Sequence, residues 1–195
     1  YSNPLWTFLI AGMYKLYISP WVSSKLLGAV FGLVTLPMVY GLVRRVRASD
    51  GIALLAPLML ALSPQFVIWN ASGLENSLYV MLLSSGMWRI MREVEDPRLH
   101  PVSALLFFLL AMTRPEGVMY AAVAGFARAV FAALDRRWLS LLLWVLVFSV
   151  PLGLFHAWRF WYFSWPYPNT YYAKLGTGRA FRPFSWTVKG WKYIN

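Results

Sequence analysis

Long apolar runs, each closed by arginines or by turn-forming residues, set the pattern of this sequence. They cover 23–43, 52–69, 74–90, 118–134 and 138–163, with a shorter run at 102–112. A helix needs about 20 predominantly apolar residues to cross a bilayer, so the five longer runs predict transmembrane helices. The run at 102–112 makes a helix of only about 16 Å. Residues 4–19 contain an apolar stretch that is too short for a span and carries Lys15. They predict a juxtamembrane amphipathic helix, with Trp6, Tyr14, Tyr17 and Trp21 at the headgroups. Pro37, Pro57 and Pro151 fall inside runs and predict kinks.

Charge separates the connectors into two groups. Arg44, Arg45 and Arg47, then Arg89, Arg92 and Arg98, then Arg136 and Arg137 lie in connectors that alternate with short loops holding only Arg114. The positive-inside rule places the arginine-rich connectors in the cytoplasm and the loops around 70–73 and 113–117 outside. Asp50, Glu93, Glu95, Asp96 and Asp135 fall in the cytoplasmic connectors and read as solvated charges that balance the arginines.

Composition supports the membrane reading. Hydrophobic residues make up 59% of the 195, charged residues 13% and aromatics 18%. A soluble domain of this size cannot bury so much apolar surface. The net charge of +11 follows from the connectors and the tail and points to no nucleic acid. There is no cysteine, and the two histidines, His100 and His156, lie far apart in the pattern, so no zinc site is expected. The chain opens at Tyr1 without a leader pattern and closes at Asn195 in mid-pattern, so it is expected to be part of a longer polytopic protein.

Chemistry concentrates at the outer ends of the runs. Glu75 follows Asn70-Ala71-Ser72-Gly73-Leu74, and two readings stand: a capping box with Ser72, or a carboxylate of a functional site. The sequon Asn70-Ala71-Ser72 is weak, because glycan attachment needs a loop clear of the bilayer. Thr113-Arg114-Pro115-Glu116-Gly117 follows the short run, so an arginine and a glutamate are held at membrane depth. They make either a polar cavity or a buried ion pair that fixes the loop. In 164–195, Lys174, Arg179, Arg182, Lys189 and Lys192 occur with no acidic residue. A basic outer segment of this kind suits a phosphate ligand or anionic headgroups.

Several motifs occur together: Pro4-Leu5-Trp6, Arg44-Arg45, Ser63-Pro64, Gly73-Leu74-Glu75, Thr113-Arg114-Pro115-Glu116-Gly117, and Pro168-Asn169-Thr170-Tyr171-Tyr172-Ala173-Lys174. In this order they resemble the GT-C glycosyltransferases that use polyprenyl-phosphate sugars, near the bacterial arabinofuranosyltransferase and mannosyltransferase-like branches. The resemblance implies an all-α, polytopic transmembrane bundle with a juxtamembrane helix, of which 1–195 is a part and 164–195 an extracytoplasmic loop. It implies sugar transfer from a polyprenyl-phosphate donor to a glycan, lipid or protein acceptor of the cell envelope. The site would face the periplasm or exterior of a bacterial inner (plasma) membrane.

On this resemblance Arg114 and Lys174 bind the donor phosphate, Glu75 and Glu116 are the cavity carboxylates, and Asn169 and Tyr172 contact substrate. The general base is expected N-terminal to Tyr1, which would leave the chain inactive alone. A divalent metal is compatible with this chemistry, but one or two hard ligands define no metal site. The competing class is a transporter or flippase for lipid-linked saccharides, which would show paired broken helices in repeated halves.

Overall fold

A computed structural model describes residues 3–46, 49–96 and 99–163. Among them are eight helices and no strand: α1 (Pro4–Lys15), α2 (Pro20–Arg45), α3 (Asp50–Ala61), α4 (Pro64–Ala71), α5 (Asn76–Glu95), α6 (Val102–Thr113), α7 (Gly117–Asp135) and α8 (Trp138–Phe163). By length and composition α2, α7 and α8 can each cross a membrane, and α3 with α4 passes the same test as a bent pair. The protein is an all-α helical membrane bundle.

Local chemistry starts and stops these helices. Proline at the first helical position opens α1, α2 and α4, where the missing N–H costs nothing. The side chains of Ser19 and Ser49 accept hydrogen bonds from Val22 and Ile52 and cap α2 and α3. Arg44 and Arg45 occupy the last turn of α2, where the helix dipole favours cations. Arg136 ends α7 in the left-handed region (φ 57°), and the Arg137 N–H reaches back to the Ala132 carbonyl.

The run at 52–69 is not one straight span. It breaks at Leu62–Ser63 into α3 and α4, which meet at 57°. Pro64 forces the break: it disfavours helical geometry at Ser63, which is extended (ψ 119°), and then starts a new helix. The run at 102–112 forms the 12-residue α6, about 18 Å long.

The core lies between α1, α2, α5, α6, α7 and α8 and is built on Trp6, Leu78, Leu82, Phe107, Leu110 and Trp144. Trp6 was expected at the headgroups; instead it is buried, its ring 6.4 Å from Phe31. Helix α1 packs its Leu5, Leu9 and Ile10 against this core, which carries Trp6 inward while Tyr14, Tyr17 and Trp21 stay exposed. Large apolar side chains such as Phe126, Leu139 and Trp161 line the outer surface, as lipid-facing residues do.

Two close approaches need glycine. Gly28 and Gly32 on α2 meet Asn70 so tightly that an added Cβ would lie 2.2 Å from its carbonyl oxygen or 2.7 Å from its side-chain amide. Asn70 is therefore clamped against a helix, which leaves its sequon without a glycan-accepting loop. At Gly117 an added Cβ would lie 2.6 Å from the α6 backbone, so the turn from α6 into α7 folds directly onto α6.

Candidate active site and a second charged cluster

The α4–α5 turn, the α6–α7 turn and the start of α1 meet at one end of the bundle. Gly73 reverses the chain after α4 with φ 81°. Ser72 donates to the Trp69 carbonyl (2.7 Å) and accepts from the Leu74 N–H (3.3 Å). It therefore closes its own turn and makes no capping box with Glu75, whose side chain caps nothing.

Glu75 turns to Arg114 instead. The Arg114 Nε and Nη2 both lie 2.9 Å from Glu75 Oε1, and Nη2 also donates to Asn76 Oδ1 at 2.6 Å. The second carboxylate oxygen accepts from Asn3 Nδ2 at 3.1 Å. A guanidinium and an amide donor on one carboxylate favour its ionised form. The guanidinium also sits 5.7 Å from the Tyr79 ring centre, and Tyr79 meets Tyr120 edge-on at 6.2 Å. These contacts use Nε and Nη2, and Nη1 takes no part in them. The pair is only partly enclosed, with side-chain exposures of 38% for Arg114 and 12% for Glu75.

The neighbouring residues complete this end. Pro115 and Glu116 precede the first turn of α7, and Glu116 is exposed at the helix N-terminus, where the dipole favours a carboxylate. Lys25 of α2 donates from Nζ to the Ala71 carbonyl at 2.9 Å, at the near side of the α4–α5 turn. Asn169, Tyr172 and Lys174 lie outside the described residues. Glu75 and Arg114 are thus brought together, with Glu116 on the same turn as Arg114.

A second cluster occupies the opposite end and corrects one expectation. Glu93 was read as a solvated connector charge; it is 2% exposed. Helix α5 continues to Glu95, and this extra turn directs Glu93 inward. Its carboxylate accepts from Arg89 Nε (3.0 Å), Arg128 Nη1 (3.0 Å), Ser103 N–H (2.9 Å) and Ser103 Oγ (2.6 Å). Ser103 Oγ in turn accepts from Trp144 Nε1 at 2.8 Å, and Arg128 Nη2 donates to Ser140 Oγ at 2.8 Å. Three helices meet on one carboxylate, and Ser103 and Arg128 extend the network to α8. The available signal was Arg128 itself, a charge inside the run at 118–134, which requires a buried partner. Asp50, Glu95 and Asp135 do pair with arginines in the connectors. Among the described residues no group of three or more His, Cys, Asp or Glu side chains is placed to hold a metal ion.

A partly open arginine–carboxylate pair at the end of a transmembrane bundle suits recognition of an anionic or hydroxylated ligand at the membrane surface. Comparison with known families decides the class, since the sequence model of the dolichyl-phosphate-mannose-protein mannosyltransferases matches residues 2–161. The chain belongs to that family. No curated protein and no solved structure matches it. Dolichyl-phosphate-mannose-protein mannosyltransferases are membrane glycosyltransferases that use lipid-linked sugars, and the match takes in both charged clusters while ending before Asn169, Tyr172 and Lys174.

Proposed function

We propose that the protein transfers a sugar from a polyprenyl-phosphate donor to a glycan, lipid or protein acceptor of the cell envelope, and that the Glu75 end of the bundle is its donor site. The observation that carries this is the Arg114–Glu75–Asn76 cluster, a guanidinium fixed on two sides with a further edge outside those bonds. In the reaction a base takes the acceptor hydroxyl proton, the acceptor oxygen bonds to the anomeric carbon, and the sugar–phosphate C–O bond breaks. The phosphate leaves with the electron pair and gains negative charge. A held guanidinium stabilises that developing charge without reorganising.

The carboxylates have separate tasks. Glu75, locked to Arg114 and Asn3, is a poor proton acceptor; it orients Arg114 and accepts hydrogen bonds from sugar hydroxyls. Glu116 is exposed and stands ready at the α7 N-terminus to contact the acceptor. The base is supplied N-terminal to Tyr1, and 1–195 is part of a transmembrane domain of GT-C type. Lys174 adds a second donor-phosphate cation, and Asn169 and Tyr172 contact substrate. The arginine-rich connectors support a site that faces outward across a bacterial plasma membrane. Placement near the arabinofuranosyl and mannosyl branches rests on motif order alone.

The test uses the complete protein, purified with lipid and supplied with polyprenyl-phosphate-linked sugars. Transfer of sugar to an acceptor, lost in Arg114→Ala, is the expected result. Net movement of the lipid-linked sugar between leaflets without transfer would overturn the enzymatic reading in favour of a transporter.

A further inference from the structure

The two cations flanking the α4–α5 turn are held in different ways. Arg114 shares its charge with Glu75. Lys25 has only a backbone carbonyl, that of Ala71, and the Trp21 ring 5.2 Å away. Among the described residues no carboxylate forms an ion pair with it. The first turns of α2 press on this same turn, since a Cβ at Gly73 would lie 3.0 Å from Ser24 Oγ. Lys25 thus reaches the residue that ends α4, while Arg114 reaches the residues that begin α5.

We infer that Lys25 is a phosphate-binding residue of the donor site, holding the phosphate of the lipid-linked sugar beside Arg114; this rests on the glycosyltransferase reading above. The pairing of charges argues for it. Arg114 is engaged by Glu75, whereas neither Glu75 nor the exposed Glu116 forms an ion pair with Lys25, which stands near the end of a span, a position that favours an anionic partner. A phosphodiester linking lipid to sugar carries one negative charge, and the phosphate released on transfer carries more. An ammonium has three donors and no fixed fork, so after bonding Ala71 it can follow the phosphate oxygens as that charge grows. Its attraction strengthens toward the transition state, the condition for raising turnover.

The decisive comparison is Lys25→Met, Lys25→Gln and Lys25→Arg in the complete protein, with a polyprenyl-phosphate-linked sugar as donor. Met and Gln should lower kcat/KM by about tenfold or more, and Arg should retain most of it. Full activity in Gln, which still bonds the Ala71 carbonyl, would reduce Lys25 to a backbone tie and overturn the inference.

Native mass spectrometry separates the phosphate sources. Reduced retention of the lipid-linked sugar, with phosphatidylglycerol retention unchanged, supports the donor contact. The reverse would assign Lys25 to bulk lipid and end the proposal. If the unsubstituted protein transfers no sugar but its donor retention still depends on Lys25, the enzymatic reading fails and the phosphate contact stands. Equal donor retention by all variants removes Lys25 from the site whatever the turnover.

Discussion

Glu75 and Glu93 mark the two ends of α5, and each pairs with an arginine brought by the chain that follows. At the Glu93 end the two side chains are 0% and 5% exposed, and both carboxylate oxygens are filled by donors from α5, α6 and α7. At the Glu75 end the exposures are 12% and 38%, and Asn3, Asn76 and Tyr79 surround the pair without enclosing it. The same two residue types therefore do different work. Taken out of water, an ion pair must be satisfied on every side or it destabilises the fold. Left at a surface, it keeps donors for a ligand and contributes little to stability. The filled Glu93 carboxylate suits a structural pair, with Arg128 Nε alone among the buried side-chain atoms of that cluster left without a hydrogen bond, and the open edge of Arg114 suits the proposed donor site.

The comparison is broken most directly at the buried pair. Glu93→Gln leaves Arg89 and Arg128 facing a neutral amide and should cost about 3–5 kcal/mol, seen as a large fall in thermal midpoint in detergent. Arg114→Ala should cost turnover instead, about 10²–10³-fold, with a nearly unchanged midpoint. A protein that unfolds with Arg114→Ala and tolerates Glu93→Gln would reverse the assignment of the two ends.

Smaller effects sharpen it. Gly117→Ala pushes the α6–α7 turn off α6 and should cost about 1–3 kcal/mol while also displacing Arg114, so stability and turnover fall together. Trp144→Phe keeps the ring against Phe107 but removes the bond to Ser103 Oγ. A loss of about 0.6 kcal/mol is expected, as for other interhelical hydrogen bonds in membranes, with turnover unaffected.

The sequence made the Glu75 end easier to read than the Glu93 end. Glu75 and Arg114 stand at the ends of apolar runs, where a charge is conspicuous, and the Pro115–Gly117 turn marks the start of a helix. Glu93 stands among arginines in a charged stretch, where it resembles its exposed neighbours Glu95 and Asp96. Its burial depends on one more helical turn of α5 and on Arg128 arriving from a segment some 35 positions later. Trp6 was misplaced for a related reason: an aromatic on an amphipathic helix suits either an interface or a core, and only the packing of α1 against α2 and α6 decides which.

Apolar period and charge sidedness determined the class of this protein by themselves, because the cost of placing charge or unpaired backbone in lipid is paid locally, residue by residue. They were sufficient for a polytopic helical membrane protein with charged turns, and motif order was sufficient for a glycosyltransferase resemblance. Tertiary structure alone decided which charges meet. The Arg114–Glu75 and Arg128–Glu93 pairs each join segments more than 30 positions apart. The partner and burial of each carboxylate depend on helix length and on close approach at glycines such as Gly32 and Gly117, which no local pattern encodes.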